Sequence, residues 1–169
     1  MIISEKLLNA INAQISHEFG ATMLYIHIAS YFDLEDLVSL SQLFFEQAEE
    51  EKMHAMKFVH FIIEAGGEVA IPQIPLTEQK FKDAEEAVAT ALKWENIVTD
   101  QVNKLMDIAI EDNDHISQDF LRWFVTEQLE ELSKMGNILG IIKKSNGNLL
   151  LAEQVIERNR AASASASAV

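Results

Sequence analysis

Apolar residues recur every three or four positions over four long windows of this chain, and polar residues interrupt each stripe near its middle. The first stripe, Leu8, Ile11, Ile15, Glu18, Thr22, Tyr25, Ala29 and Phe32, predicts a helix N-capped by Ser4, with Glu5 in its first turn, that runs to about Asp33. The second, Leu37, Leu40, Phe44, Gln47, Glu51, His54, Phe58 and Phe61, predicts a helix from the acidic turn at 33–36 to a stop at Gly66-Gly67. A third stripe reads Phe81, Ala84, Val88, Ala91, Glu95, Val98, Val102, Leu105 and Ala109, for a helix from about Gln79 to Ile110. After the polar turn 111–114, the fourth carries Phe120, Phe124, Glu127, Glu131, Met135, Ile138 and Ile142. Lys143-Lys144 and the stretch 145–148 close that helix.

Between the second and third helices lies GGEVAIPQIPLTEQK, whose glycines and two prolines exclude helix. At roughly 3.3 Å per extended residue it spans about 45 Å, the length of a thirty-residue helix. It is long enough to cross the whole molecule. A short fifth helix, about Leu149 to Arg160, is too short to be stable alone, so Leu149 to Leu151, Val155 and Ile156 should dock on something. The expectation is an all-α four-helix bundle over 1–160, with a long crossover and a short C-terminal helix, in a single domain. Residues 161–169, ASASASAV with its leading Ala, read as a disordered tail or an artificial extension.

Register turns the interruptions into one site. In an antiparallel hairpin, residues equidistant from the turn lie side by side. Positions 18 and 51 flank the first turn symmetrically, and 95 and 131 flank the second. Each hairpin thus sets its acids level, roughly 25 Å from its turn. Burying Glu18, Glu51, Glu95, Glu127 and Glu131 without partners would cost several kcal/mol each, against the roughly 5–15 kcal/mol by which domains are stable. No lysine or arginine lies on the stripes near that layer, so cations are expected there. Glu51 and His54, one turn apart on one face, project the same way and can share an ion. Alone this Glu-x-x-His is a weak signal, with about half a match expected by chance. Carboxylates with one imidazole suit Fe, Mn or Mg, with Zn open, and the donors suffice for two ions with Glu51 as the natural bridge.

Composition narrows the classes further. A net charge of -14 argues against nucleic acid or an anionic membrane as partner and for cations. The absence of cysteine excludes disulfides and thiolate chemistry. The start MIISEKLL has too short an apolar run for a signal peptide, and no eighteen apolar residues run together, so a soluble cytoplasmic protein is expected.

At these residues the chain resembles the haem-free bacterial ferritins. The likeness covers about 1–160 and is carried by HEFGATMLY, AEEEKMHAM, the crossover, LKWENIVTDQ and LRWFVTEQLEE. It implies a ferroxidase centre in which Glu18, Glu51 and His54 hold one iron and Glu95 and Glu131 the other, with Glu51 bridging. Glu127 and Gln128 match the residues beside it. An additional iron position would draw on Glu50, Glu127 and Glu130. Tyr25 matches the tyrosine near the centre, where a one-electron donor role competes with packing. The resemblance also implies Fe(II) and O2 (or peroxide) as substrates and a homo-oligomeric shell of twenty-four subunits.

Two departures matter. Symmetric di-iron proteins repeat Glu-x-x-His on the fourth helix, whereas this chain has Gln128-x-x-Glu131, so the second iron should be held by oxygen alone and more loosely. Haem-binding relatives place Met directly after the bridging Glu; here Lys52 stands there, and haem is not expected, with Met23 and Met56 left open as ligands. The expected function is iron storage and detoxification with ferroxidase activity. Its chief rival is a di-iron or di-manganese oxidoreductase acting on an organic or peroxide substrate. A third class is a metal-free interaction bundle, which requires the acids to point outward. Asp112, Asp114 and Asp119 compete between lining an ion channel and solvating a turn. Trp94 and Trp123 read as core or interface aromatics, and His17, His27, His60 and His115 as structural or exposed.

Overall fold

The computed structural model describes residues 2–74 and 80–166, and the regular structure among them is helical. The elements are α1 (Glu5–Leu34), α2 (Val38–Glu64), α3 (Ala84–Glu111), α4 (His115–Lys144) and α5 (Leu149–Ala166). Ser4 caps α1, its hydroxyl accepting the Leu7 N–H at 3.1 Å. Asp83 and Asp114 do the same for the amides of Glu86 and Ser117. Asp83 is why α3 begins later than the expected start near Gln79, which lies outside the described residues. Phe81 therefore precedes the helix, yet still packs on His27 and Tyr31.

The ends of α1, α2 and α3 follow one hydrogen-bond pattern. The Leu37 and Asp36 amides return to the carbonyls of Phe32 and Asp33, those of Gly67 and Gly66 to Ile62 and Ile63, and those of Asp114 and Asn113 to Ala109 and Ile110. The pattern needs one left-handed residue, and it is supplied by Asp36 (φ 58), Gly66 (φ 73) and Asn113 (φ 54). Asp and Asn tolerate this conformation better than other residues with a side chain, so the first and third reversals manage without glycine.

The crossover can be followed along α1. Asn12 donates to the Glu68 carbonyl and accepts the Ala70 amide, and Ser16 donates to the Gln73 carbonyl. With Phe81 lying against Tyr31, the connection climbs about 28 Å of α1. It thus carries the chain back to the end from which α2 descended, so α2 and α3 run parallel. At the far end Ser4 bonds Asp112 and Lys6 bonds Glu111.

The core falls into two apolar halves, one around Tyr25, Phe32, Phe44 and Ile138, the other around Ile11, Phe58, Val102 and Phe124. The polar residues that break the stripes lie between them. α5 docks on α2 and α4 through Ala152 and Ile156, while Leu150 and Leu151 stay exposed instead of docking. No side chain of its own caps α2, and the Glu153 carboxylate of α5 takes the Leu40 amide instead. Arg160 completes the contact with two bonds to Glu46. α5 runs on to Ala166 because its alanine-rich end offers no helix breaker, and 167–169 lie outside the described residues.

Candidate metal centre

Glu18 of α1, Glu51 and His54 of α2, Glu95 of α3 and Glu131 of α4 meet between the two halves of the core. All are buried, His54 being the most accessible at 4%. One donor atom from each of Glu18, Glu51 and His54 lies within 4.8 Å of the others, and the same holds for Glu51, Glu95 and Glu131. Glu51 belongs to both groups. The acids point inward, which removes the interaction-bundle reading.

A ring of amides orients the carboxylates. Gln14 donates to Glu18 Oε1 at 2.8 Å, and Gln47 donates to Glu51 Oε1 at 3.1 Å and Glu131 Oε2 at 2.7 Å. Gln128 donates to Glu95 Oε2 at 3.1 Å, and the Tyr25 hydroxyl donates to Glu95 Oε1. His54 Nδ1 lies 3.2 Å from Glu51 Oε2. Glu18 Oε2 is buried with no amide or hydroxyl donor on it and its carboxyl faces that of Glu51, a pair of acids that a shared proton or a cation can satisfy.

The electrostatics agree. Burial, and then the charge of Glu51, hold Glu18 well above the usual carboxylate range. The same two causes push Glu95 up to about 8, and burial raises Glu131 against the pull of Lys134. Burial pushes His54 down, but its hydrogen bond to Glu51 and the surrounding acids leave it raised. Burial also raises Tyr25, which keeps its proton. A divalent cation supplies the charge that the acids lack.

These shifts make the metal-free protein sensitive to alkali. An unfolded Glu95 returns to the ordinary value of 4.5, whereas the folded one titrates at about 8, so across that window the unfolded chain loses its proton first. The stability carried by protonated Glu95 is complete below 4.5 and lost as pH rises through 8. With chelator present, the midpoint of thermal unfolding should lie several degrees lower at about pH 8.5 than at about pH 5.5, and Glu95→Gln should narrow the gap. An equal or higher midpoint at the alkaline pH contradicts this electrostatic picture.

Two expectations about the layer need correction. Glu127 is not inside: its side chain is 25% exposed, with Oε1 3.8 Å from His54 Nε2, and Gln128 takes the inward position. A helix of 3.6 residues per turn allows a step of four after Phe124 as readily as a step of three. The layer also has a lysine. Lys134 lies off the stripe, one turn beyond Glu131, and its Nζ reaches Glu131 Oε1 at 3.0 Å and Glu50 Oε2 at 2.9 Å. The i,i+3 spacing from Glu131 is the signal that could have found it. Glu130 is exposed, and neither donor group includes Glu50, Glu127 or Glu130.

Around the centre, Trp123 meets His54 edge-on at 5.4 Å and carries Lys57 on its face, while Trp94 packs against both halves of the core. His17 lies half-buried beside Trp94, and His27 stacks near Phe81. Asp114 caps α4 and Asp112 accepts from Ser4, so both have local structural partners.

Comparison with known proteins agrees with the fold. Residues 8–145 match the Ferritin family, described as a ferritin-like domain. Ferritin BfrB of Mycobacterium tuberculosis is 37% identical over 145 residues, which cover 86% of this chain and 80% of that protein. The bacterial non-heme ferritin of Staphylococcus aureus is 33% identical over 132 residues, covering 78% and 80%. Among solved structures, an open pore ferritin from Archaeoglobus fulgidus superposes with a TM-score of 0.87 at 31% identity, covering 92% of this chain and 96% of that one.

Proposed function

The chain belongs to the ferritin family, and on that premise we propose that it stores and detoxifies iron, oxidising Fe(II) to Fe(III) at a two-ion centre with O2 or peroxide as oxidant. The observation that carries the reading is the pair of donor groups sharing Glu51. One Fe(II) is held by Glu18, Glu51 and His54, the other by Glu51, Glu95 and Glu131. The shared carboxylate keeps the two ions close enough for each to give one electron to the same oxygen molecule. Gln14, Gln47 and Gln128 fix the carboxylates before the metal arrives, so little reorganisation accompanies binding. Tyr25 holds Glu95 through its hydroxyl.

Storage implies a shell, and we place this one in the cytoplasm. Among the described residues no helix is long and apolar enough to cross a membrane. Met23, Ile26, Met53 and Met56 are exposed on the single chain, which supports burial against further copies. Twenty-four chains of 19.0 kDa make a particle of roughly 450 kDa. The family membership weighs against the rival that acts on an organic substrate.

The test is direct. Metal-free protein given Fe(II) in air should develop ferric absorbance much faster than buffer does, keep the product in solution, and sediment as a particle of several hundred kilodaltons. Oxidation at the buffer rate sinks the ferroxidase reading, and a small oligomer sinks the shell.

A further inference from the structure

Lys134 is the charge that the two donor groups leave unexplained. Its Nζ lies 2.8 Å from Gln47 Oε1, 2.9 Å from Glu50 Oε2 and 3.0 Å from Glu131 Oε1. All three ammonium protons are therefore engaged. The consequence falls on Glu131. One of its oxygens is held by Lys134 and the other by Gln47, at 2.7 Å. Glu18, in the other group, has the neutral amide of Gln14 on Oε1 and no amide, hydroxyl or ammonium donor on Oε2. The two groups thus differ before any ion binds: one presents a carboxylate held by a neutral amide together with an imidazole, the other a carboxylate already paired with a cation.

Lys134 also has somewhere to go. It lines a groove of about 760 Å³ between α2, α4 and α5, together with Glu50, Glu157 and Glu46, the last already held by Arg160. Its side chain is 37% exposed, and its four-carbon stem can swing into that space while staying beside Glu50.

We propose that Lys134 is a displaceable counter-ion that makes the Glu51, Glu95 and Glu131 group fill second, its ammonium holding Glu131 until the second ion takes its place. The inference rests on the two-ion centre proposed above. Lys134 acts through Glu131, so it is a positioning residue and no ligand. An incoming divalent cation meets repulsion from the ammonium and must break its bond to Glu131, whereas Glu18 is held on Oε1 by the neutral amide of Gln14 and has no lysine or arginine on it. Removing the charge strengthens the second step and leaves the first nearly unchanged.

The experiment is a calorimetric titration of metal-free protein with Co(II), which needs no oxidant. Wild type should take two ions per chain in distinct steps. Lys134→Met, which keeps the stem and loses the charge, should bind the second ion at least about tenfold more tightly, narrowing the gap, while Lys134→Arg restores it. Wild-type crystals soaked at one Co(II) per chain should show anomalous density at Glu18, Glu51 and His54, with Lys134 still on Glu131. Equal steps in wild type, first occupancy at Glu131, or an unchanged gap in folded Lys134→Met overturns the role of Lys134 and leaves the two-ion centre standing. Fewer than two ions in wild type overturns both. The wild-type crystal decides even if Lys134→Met fails to assemble.

Discussion

Glu51→Ala combined with His54→Ala should slow aerobic Fe(II) oxidation by about a hundredfold or more while leaving the particle intact. Replacing a residue that merely supports a metal ligand typically costs about 10–100-fold. Glu51 stands in both donor groups, and His54 is the nitrogen donor of one. Their loss leaves no group of three donors complete, so the effect belongs at or beyond the top of that range. Folding should survive, because metal-free Glu51 adds like charge beside Glu18, Glu95 and Glu131. The check is stopped-flow ferric absorbance on variant and wild type of equal sedimentation coefficient. Oxidation at the wild-type rate would place the chemistry elsewhere.

Glu131→Ala should separate binding from oxidation. It leaves Glu18, Glu51 and His54 untouched, so one ion still binds, but the second group is reduced to Glu51 and Glu95. A single Fe(II) can give only one electron to oxygen, and the paired step is lost. We expect anaerobic Fe(II) binding to fall from two ions per chain to one, and initial oxidation to slow at least about tenfold. Retention of two ions with an undiminished rate would show that Glu131 is not a ligand.

Why the stripes bring Glu18, Glu51, His54, Glu95 and Glu131 onto the buried face and leave Lys134 out follows from helix geometry. Long stripes with fixed steps identify which polar residues share the buried face, and the hairpin turns set their level. At Glu127-Gln128 the steps of three and four both fit, and two adjacent polar residues leave the inward one undecided until α4 is packed. Lys134 and Gln14 sit beside the stripe, and long side chains reach the layer from positions that periodicity assigns to its flank. The start of α3 depended on a single capping hydrogen bond from Asp83, which competes with the apolar pattern instead of following it. The α5 contact was legible only as a need for a partner, since the pairing of Glu153 with Leu40 depends on tertiary approach.

Crystals of the metal-free protein soaked anaerobically in Fe(II), with data collected at the iron edge, test the central claim most directly. Two anomalous peaks per chain should lie between Glu18 and Glu131, with one Glu51 carboxylate oxygen on each. A single peak, or two peaks that share no contact with Glu51, would contradict the two-ion centre.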